Sequence, residues 1–119
     1  MDQSVANRQS RRRVWTSEEI RSKVESSKVV LFTKGTKEQP RCGFSERAFV
    51  ELEPWSSEVE VINVCEDSSI IPALRSVVGR KALPLVSVDG TFHSCSDDLP
   101  KMLESGELRH QVEKVFSKN

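Results

Sequence analysis

Long apolar runs are missing from this sequence of 119 residues. No segment approaches the ~20 consecutive apolar residues that a membrane-spanning helix needs, and the N-terminal residues lack the apolar centre of a secretory signal. These absences predict a soluble protein that is not exported and has no membrane partner.

Cysteine is scarce, and neither sign of charge is in excess. Three cysteines without paired spacing exclude a disulfide framework and favour a reducing compartment, by default the cytoplasm. The 18 basic and 18 acidic side chains cancel, and beyond residue 15 there are 14 basic against 17 acidic ones. This distribution argues against nucleic-acid binding, because phosphate contacts need clustered positive charge.

Basic charge is concentrated at the start of the chain, in Arg8 and in the run from Arg11 to Arg13. The polar, aperiodic residues 1–13 predict a flexible basic leader, and organellar targeting by this leader is the alternative. Residues 14–119 contain neither a linker nor a repeat, and their length suits one domain. We therefore predict a single domain over residues 14–119.

Helix and strand signals alternate along this domain. Thr16 and Glu19 form a capping box at the start of a helix that buries Ile20 and Val24. Asp89-Gly90 is a two-residue hairpin signal. Helices are predicted over the ~10 residues after Thr16, over residues 45–52, 68–78 and 107–116, and over a segment capped by Ser96, Asp97 and Asp98 and ending near Gly106. Strands are predicted over residues 28–33, 58–64, 85–88 and 91–93.

This order of elements predicts an α/β fold with a four-stranded mixed sheet. The strand–helix–strand segment implies a right-handed parallel crossover, and the hairpin adds antiparallel strands. Helices are then expected on both faces of the sheet.

Cys42 lies where the irregular residues 34–41 meet a predicted helix. The unpaired N–H groups of a helix N-terminus favour a thiolate, which is the nucleophile and the metal ligand. Lys34 and Arg41 add positive charge nearby. Ser45 stands three residues on, so that an internal Cys-x-x-Cys exchange is excluded. One thiolate supplies one ligand, whereas an iron–sulfur cluster needs about four, so any cluster must be shared.

Several short segments together resemble the signature of the CGFS-type monothiol glutaredoxin family, over roughly residues 17–116. They are Lys34-Gly35-Thr36, Pro40-Arg41, Cys42-Gly43-Phe44-Ser45, Leu83-Pro84, Val88-Asp89-Gly90 and Ser96-Asp97. The resemblance implies a thioredoxin-like fold in which Pro84 is cis. It also implies glutathione beside that proline and a 2Fe-2S cluster that bridges two subunits, with Cys42 as the protein ligand.

The resemblance further implies how glutathione is bound. Lys34 would face the glycine carboxylate, the backbone of Leu83 would pair with the tripeptide, and Ser96 with Asp97 would hold the γ-glutamyl end. The full set of glutathione-binding residues that we predict is Lys34, Phe44, Leu83, Pro84, Ser96 and Asp97.

The sequence also departs from the family pattern. Arg80-Lys81 stands where the family has Trp-Pro, and Ser94-Cys95 replaces a pair of glycines. Ile71 aligns with a family arginine, whose charge Arg75, Arg80 or Lys81 are candidates to replace.

The remaining candidate residues have simpler interpretations. Cys65, at the end of the second predicted strand, is expected to be a buried structural thiol. Cys95 precedes the predicted cap near the glutathione site and is a candidate resolving thiol for a mixed disulfide on Cys42. His93 and His110 lack metal-ligand spacing and are expected at surface or edge positions. Trp15 and Trp55 flank apolar runs and are expected to pack in the core or as a hydrophobic staple rather than to stack on a ligand.

Three hypotheses remain for function. The first is a glutathione-dependent iron–sulfur carrier that acts as a cluster-bridged homodimer and exchanges clusters with acceptor or assembly proteins. The second is a weak glutathione-dependent thiol oxidoreductase in which Cys42 removes glutathione from proteins. The third is an interaction module that keeps the fold without a cofactor.

Overall fold

The computed structural model describes residues 14–117, and the leader predicted over residues 1–13 lies outside this range. The helices are α1 Ser17–Ser26, α2 Gly43–Leu52, a 3-10 turn Glu53–Trp55, α3 Ile70–Val78, α4 Leu99–Ser105 and α5 Glu107–Ser117. The strands are β1 Val29–Thr33, β2 Glu60–Asn63, β3 Leu85–Val88 and β4 Thr91–Ser94.

The four strands form one mixed sheet in the order β2-β1-β3-β4. β1 pairs in parallel with β2, and β3 pairs antiparallel with both β1 and β4. All five residues of β1 are buried, as the continuous apolar run predicts for a strand covered on both faces. The predicted fold class is thus confirmed.

Alternate residues of β1 enter two separate cores, because successive side chains of a strand point to opposite faces. Val29 and Leu31 belong to a cluster with residues of α2, α4 and α5. Val30 and Phe32 belong to a second cluster with residues of α1 and α3. Helices therefore cover both faces, and β1 is fixed from both sides before the chain enters the loop that leads to Cys42.

The local signals at α1 and at the hairpin are confirmed. The Thr16 hydroxyl accepts a hydrogen bond from the Glu19 N–H, and the Glu19 carboxylate accepts one from the Thr16 N–H. Ile20 is fully buried, and Val24 packs against its cluster. Asp89 and Gly90 both have positive φ, 52° and 89°, which matches the backbone of a tight hairpin turn.

One expectation is wrong and two hold only in part. Cys65 is exposed rather than buried, because β2 ends at Asn63, whose side chain accepts the Cys65 N–H at 3.0 Å and turns the chain outward. His93 does lie on the edge strand β4 but is only 7% exposed, and its Nδ1 is 2.9 Å from Asp98 Oδ2. The fourth helix begins at Leu99 with Asp98, one of the three predicted capping residues, at the N-cap position but without a side-chain capping hydrogen bond; Ser96 and Asp97 lie in the preceding turn.

Within residues 14–117, no helix combines the length and the apolar character that crossing a bilayer requires.

Candidate functional site

Cys42 is the N-cap residue of α2, at the loop-to-helix junction that the sequence predicts. Its carbonyl accepts the first helical hydrogen bond, from the Glu46 N–H at 3.1 Å, while its backbone is still extended. The loop before it folds back on itself, since the Arg41 N–H donates to the Lys34 carbonyl at 2.8 Å and Gly35 bridges Pro40. This fold-back brings Cys42 next to Lys34 at the end of β1.

Ser45 links Cys42 to the strand end. The Ser45 hydroxyl oxygen accepts the Lys34 backbone N–H at 3.2 Å and lies 3.4 Å from Cys42 Sγ. Because the oxygen already accepts from the backbone, its proton is available to donate to a thiolate. Ser45 is fully buried, so this hydrogen bond is shielded from water.

The site favours the anionic form of Cys42. Partial burial acts to raise the pKa of this thiol, but hydrogen bonds from the Ser45 hydroxyl and from the Ser45 and Phe44 N–H groups outweigh it, and the Lys34 charge adds to them. The resulting pKa of Cys42 lies below the ordinary value of 9.0. A larger fraction of the thiol is therefore nucleophilic near neutral pH.

Ser45→Ala is expected to raise the pKa of Cys42, since it removes the strongest hydrogen bond to the thiolate. It also leaves the Lys34 N–H without its acceptor, at a cost of about 1–3 kcal/mol in the free energy of unfolding. The pH dependence of Cys42 alkylation by iodoacetamide measures the first effect, and urea unfolding measures the second. Ser68→Ala, at an exposed position, is the control, and an unchanged pH midpoint in Ser45→Ala would count against the role of Ser45.

Cys95 is half-buried in the turn after β4, and its N–H donates to the Pro84 carbonyl at 3.3 Å. The pKa of Cys95 is raised to about 11, because burial and, to a smaller extent, the charge of Cys42 raise it more than the charge of Lys34 lowers it. These mutual effects place Cys42, Cys95 and Lys34 within electrostatic range of one another. Cys95 itself stays a neutral thiol at neutral pH.

The two thiols are expected to react in separate pH ranges. The thiolate fraction rises as pH passes the pKa, so Cys42 alkylation should reach half its maximal rate below pH 9.0 and Cys95 alkylation only near pH 11. Peptide mass mapping after short iodoacetamide pulses measures both profiles. Equal labelling of the two residues at pH 8 would contradict this order.

Leu83 and Pro84 are joined by a cis peptide bond, as the family resemblance implies. Pro84 is buried at the start of β3, and Leu83 is half-buried against the second core cluster. Pro84 thus lies beside the turn that carries Cys95, at the same end of the sheet as Lys34.

A network of serine hydroxyls ties the segment before Pro84 to the turn after β4. The Ser94 hydroxyl donates to the Ala82 carbonyl at 2.7 Å, and the Ser96 hydroxyl accepts the Ala82 N–H at 3.2 Å. The two hydroxyls are 2.9 Å apart. Across the same two segments, Lys81 Nζ forms an ion pair with Asp97 Oδ2 at 2.9 Å.

An open groove of about 660 Å³ lies between α2 and α4. Phe44, which is 47% exposed, and Asp97 both line it. The predicted site residues therefore fall into two groups: Lys34, Cys42 and Cys95 lie within electrostatic range of one another, while Phe44 and Asp97 share this groove. Ser96 lies in the Cys95 turn, and Pro84 lies beside that turn at the start of β3.

Metal chemistry at this site is limited by the number of ligands. Over residues 14–117, no three His, Cys, Asp or Glu side chains are grouped closely enough to hold a metal ion. Cys42 can supply one thiolate, so the donor set of one chain fits a shared cluster and does not fit a metal site of its own.

Sequence reasoning missed the serine network, the Lys81–Asp97 pair and the hydrogen bond from Ser45. It treated Ser45 only as a missing second cysteine, although a position three residues into a helix faces the N-cap side chain. It noted Ser94 only as a departure from a pattern, and Lys81 only as a departure and as a candidate to replace the charge of a family arginine. Their contacts depend on how three separate segments meet, which no local signal encodes.

Comparison with known proteins gives a consistent result. The Glutaredoxin family model matches residues 29–93. An uncharacterized monothiol glutaredoxin ycf64-like protein of Synechocystis is 32% identical over 98 residues, which cover 82% of this chain and 92% of that protein. Monothiol glutaredoxin-S14, chloroplastic, of Arabidopsis thaliana is 32% identical over 78% of this chain, but the match spans only 54% of its length.

Among solved structures, that of reduced poplar apo GrxS14 has 34% sequence identity and a TM-score of 0.62, covering 83% of this chain and 91% of that chain. The sequence matches and the structural match thus point to the same family, and they support a redox function of the glutaredoxin type. The chain belongs to the monothiol glutaredoxin family.

Proposed function

We propose that this protein binds glutathione beside Cys42 and carries a 2Fe-2S cluster for transfer to acceptor proteins. The observation that carries the proposal is a single thiol of lowered pKa at a helix N-terminus, with serine in place of a second cysteine three residues on. This arrangement favours a stable thiolate and excludes a disulfide within the same turn.

The ligand count determines the form of the carrier. Because Cys42 offers one thiolate per chain, the other ligands of a 2Fe-2S cluster must come from elsewhere. The family resemblance implies that two Cys42 thiolates and two glutathione thiolates together supply the four ligands. The cluster therefore bridges a homodimer. It is cargo that iron–sulfur assembly proteins supply and acceptor proteins receive.

Charges at the site support glutathione as the small thiol. Lys34, beside Cys42, suits the glycine carboxylate, and the Asp97 carboxylate suits the γ-glutamyl ammonium. Leu83 offers backbone groups next to Pro84, and Phe44 offers an exposed ring on the groove that Asp97 lines. Ser96, whose hydroxyl is bonded within the turn, contributes by fixing the position of Asp97.

Anaerobic reconstitution with iron, sulfide and glutathione tests this proposal. We expect a coloured dimer with two irons per dimer, measured by visible absorption, iron content and light scattering. Omitting glutathione should prevent both colour and dimer formation. Cys95→Ser should keep the colour, because Cys95 is a neutral thiol outside the ligand set. A colourless monomer would refute the carrier function.

A second candidate function is removal of glutathione from proteins, which the lowered pKa of Cys42 favours. The Cys42 thiolate attacks the glutathione sulfur of a protein–glutathione disulfide, and the protein leaves as a thiolate. A second glutathione thiolate then attacks the glutathione sulfur, releasing glutathione disulfide and regenerating Cys42. In a variant of this cycle, the Cys95 sulfur attacks Cys42 Sγ, the S–S bond to glutathione breaks, and the departing glutathione thiolate takes up the Cys95 proton. Two further glutathione molecules then reduce the Cys42–Cys95 disulfide and leave as glutathione disulfide.

Reconstitution separates these functions. A colourless monomer that removes glutathione from glutathionylated substrates supports the enzyme. A protein that shows no colour and no transfer activity supports a cofactor-free interaction module.

We further propose a reducing compartment, by default the cytoplasm, because Cys42, Cys65 and Cys95 are all free thiols. Imaging of the full chain with a C-terminal fluorescent fusion distinguishes the cytoplasm from an organelle.

A further inference from the structure

Strand β2 lies at one edge of the sheet, because the strands are ordered β2-β1-β3-β4. The Val64 N–H, directly after β2, donates inward to the Thr33 carbonyl of β1 at 2.9 Å. The backbone groups of successive strand residues point to opposite sides, so Ile62 also bonds inward. Val61 and Asn63 therefore direct their backbone N–H and C=O groups outward, away from β1.

Most of these outward groups are unpaired. The Asn63 carbonyl accepts the Glu66 N–H at 3.1 Å, but the Asn63 N–H and both backbone groups of Val61 have no hydrogen-bond partner within residues 14–117. A sheet edge with free donors and acceptors is a template for one more strand. A single residue placed antiparallel to Val61 can bond with both of its backbone groups.

A cavity of about 270 Å³ opens beside this edge, between β2 and α2. Its apolar wall consists of Leu31, Phe49, Leu52, Val59 and Val61. Val61 is 43% exposed, and a residue paired with it places its side chain on the same face of the sheet. A large apolar side chain at that position can enter the cavity and cover the exposed part of Val61.

The charged residues that line the cavity are Lys37, Glu53 and Glu66, and they leave its rim negative. Lys37 Nζ and Glu53 Oε1 form an ion pair at 2.8 Å, whereas the exposed Glu66 makes no ion pair with any residue of the described range. Because the Glu66 N–H is bonded to Asn63, the Glu66 carboxylate is within reach of a cationic side chain opposite Asn63. In an antiparallel segment, that residue precedes the partner of Val61 by two positions.

We propose that the edge of β2 is a docking surface for an extended segment of a partner protein that carries a basic residue and, two positions later, a large apolar residue. The segment adds a fifth strand to the sheet through Val61 and Asn63. Its apolar side chain enters the cavity, and its basic side chain pairs with Glu66. This binding requires neither the Cys42 thiolate nor glutathione, so the inference goes beyond the proposed function and does not depend on it.

Two synthetic peptides test this docking surface. The first is acetyl-Thr-Arg-Thr-Leu-Thr-Gln-amide, and the second is identical except that its leucine is N-methylated. The second peptide keeps every side chain and loses only the N–H that would donate to the Val61 carbonyl. Titration of the ¹⁵N-labelled full chain, followed by NMR, measures the affinity for each peptide and locates the amides that respond.

We expect the first peptide to shift the amide signals of Val61 and Asn63, and N-methylation to weaken binding at least about tenfold. Glu66→Gln should weaken binding of the first peptide about two- to fivefold. Glu58→Gln is the matched control, since Glu58 is an exposed glutamate just before β2 that does not line the cavity. Glu58→Gln should bind as the wild type does, and so should Cys42→Ser.

Three results would overturn the inference. The first is failure of the wild-type protein to bind the leucine peptide, and the second is equal affinity for the two peptides. The third is a shift of the Val61 and Asn63 signals on concentrating the protein alone, which would mean that the edge pairs with a second copy of the chain. Peptide binding by a protein that stays colourless and unreactive at Cys42 would refute the proposed function and support the docking surface.

Discussion

Replacing Cys42 by serine is expected to abolish both proposed functions while preserving the fold. Near neutral pH a serine hydroxyl stays protonated, so it replaces the thiolate neither as a nucleophile nor as an iron ligand. The rate of glutathione transfer should therefore fall at least ~10³-fold. Reconstituted protein should be colourless and monomeric. Because serine is a preferred N-cap residue, the free energy of unfolding should be unchanged or higher by up to about 1 kcal/mol.

Cys65→Ser is the matched control for this variant. Cys65 is exposed in the turn after β2, so its replacement should leave colour, dimer formation and transfer rate at wild-type values. Urea unfolding of both variants shows whether the fold is intact. A Cys42→Ser protein that still acquired an iron–sulfur chromophore would mean that the cluster ligand lies elsewhere in the chain.

Gly35→Ala is expected to have the largest effect on stability among changes at the site. Gly35 has a φ of +94°, and an added Cβ would lie 2.4 Å from the Gln39 carbonyl oxygen and 2.7 Å from the Arg41 nitrogen. Both are backbone atoms of the loop that leads to Cys42. The variant must therefore open this loop, and we expect a loss of at least about 2 kcal/mol in the free energy of unfolding.

Gly43→Ala provides the contrast, because an added Cβ there meets nothing within 4 Å. Since Gly43 begins α2, alanine should be neutral or stabilising by up to about 1 kcal/mol. Urea unfolding measures both variants. Equal stability of Gly35→Ala and the wild type would show that the loop before Cys42 accommodates a side chain at position 35. That result would contradict the close fold-back that brings Cys42 next to Lys34.

Much of the fold could be predicted because its signals are local. The continuous apolar run of β1, the capping box at Thr16 and the Asp89-Gly90 turn each specify one element, and all three are confirmed. The short strands and the hairpin then leave few ways to assemble a mixed sheet. The position of Cys42 at a helix start also followed from the loop residues before it.

The errors arise where side chains replace regular backbone bonding. Asn63 ends β2 through its own side chain and thereby exposes Cys65. The Ser94 and Ser96 hydroxyls hold the chain in a turn, and the fourth helix consequently starts only at Leu99. His93 is buried because its side chain meets Asp98 from the next turn, a contact that alternation along a four-residue strand does not reveal.

Strand β3 runs from the end of the sheet that carries the cysteines to the opposite end, where the hairpin turn lies. Pro84 precedes this strand and Asp89 follows it, so the four residues Leu85–Val88 put about 13 Å of backbone between the cysteine-bearing turn and the hairpin tip. Asp89 and Gly90 are exposed. A fluorophore or surface tether attached at this tip would therefore report on, or immobilise, the protein while its thiol end faces freely into solution.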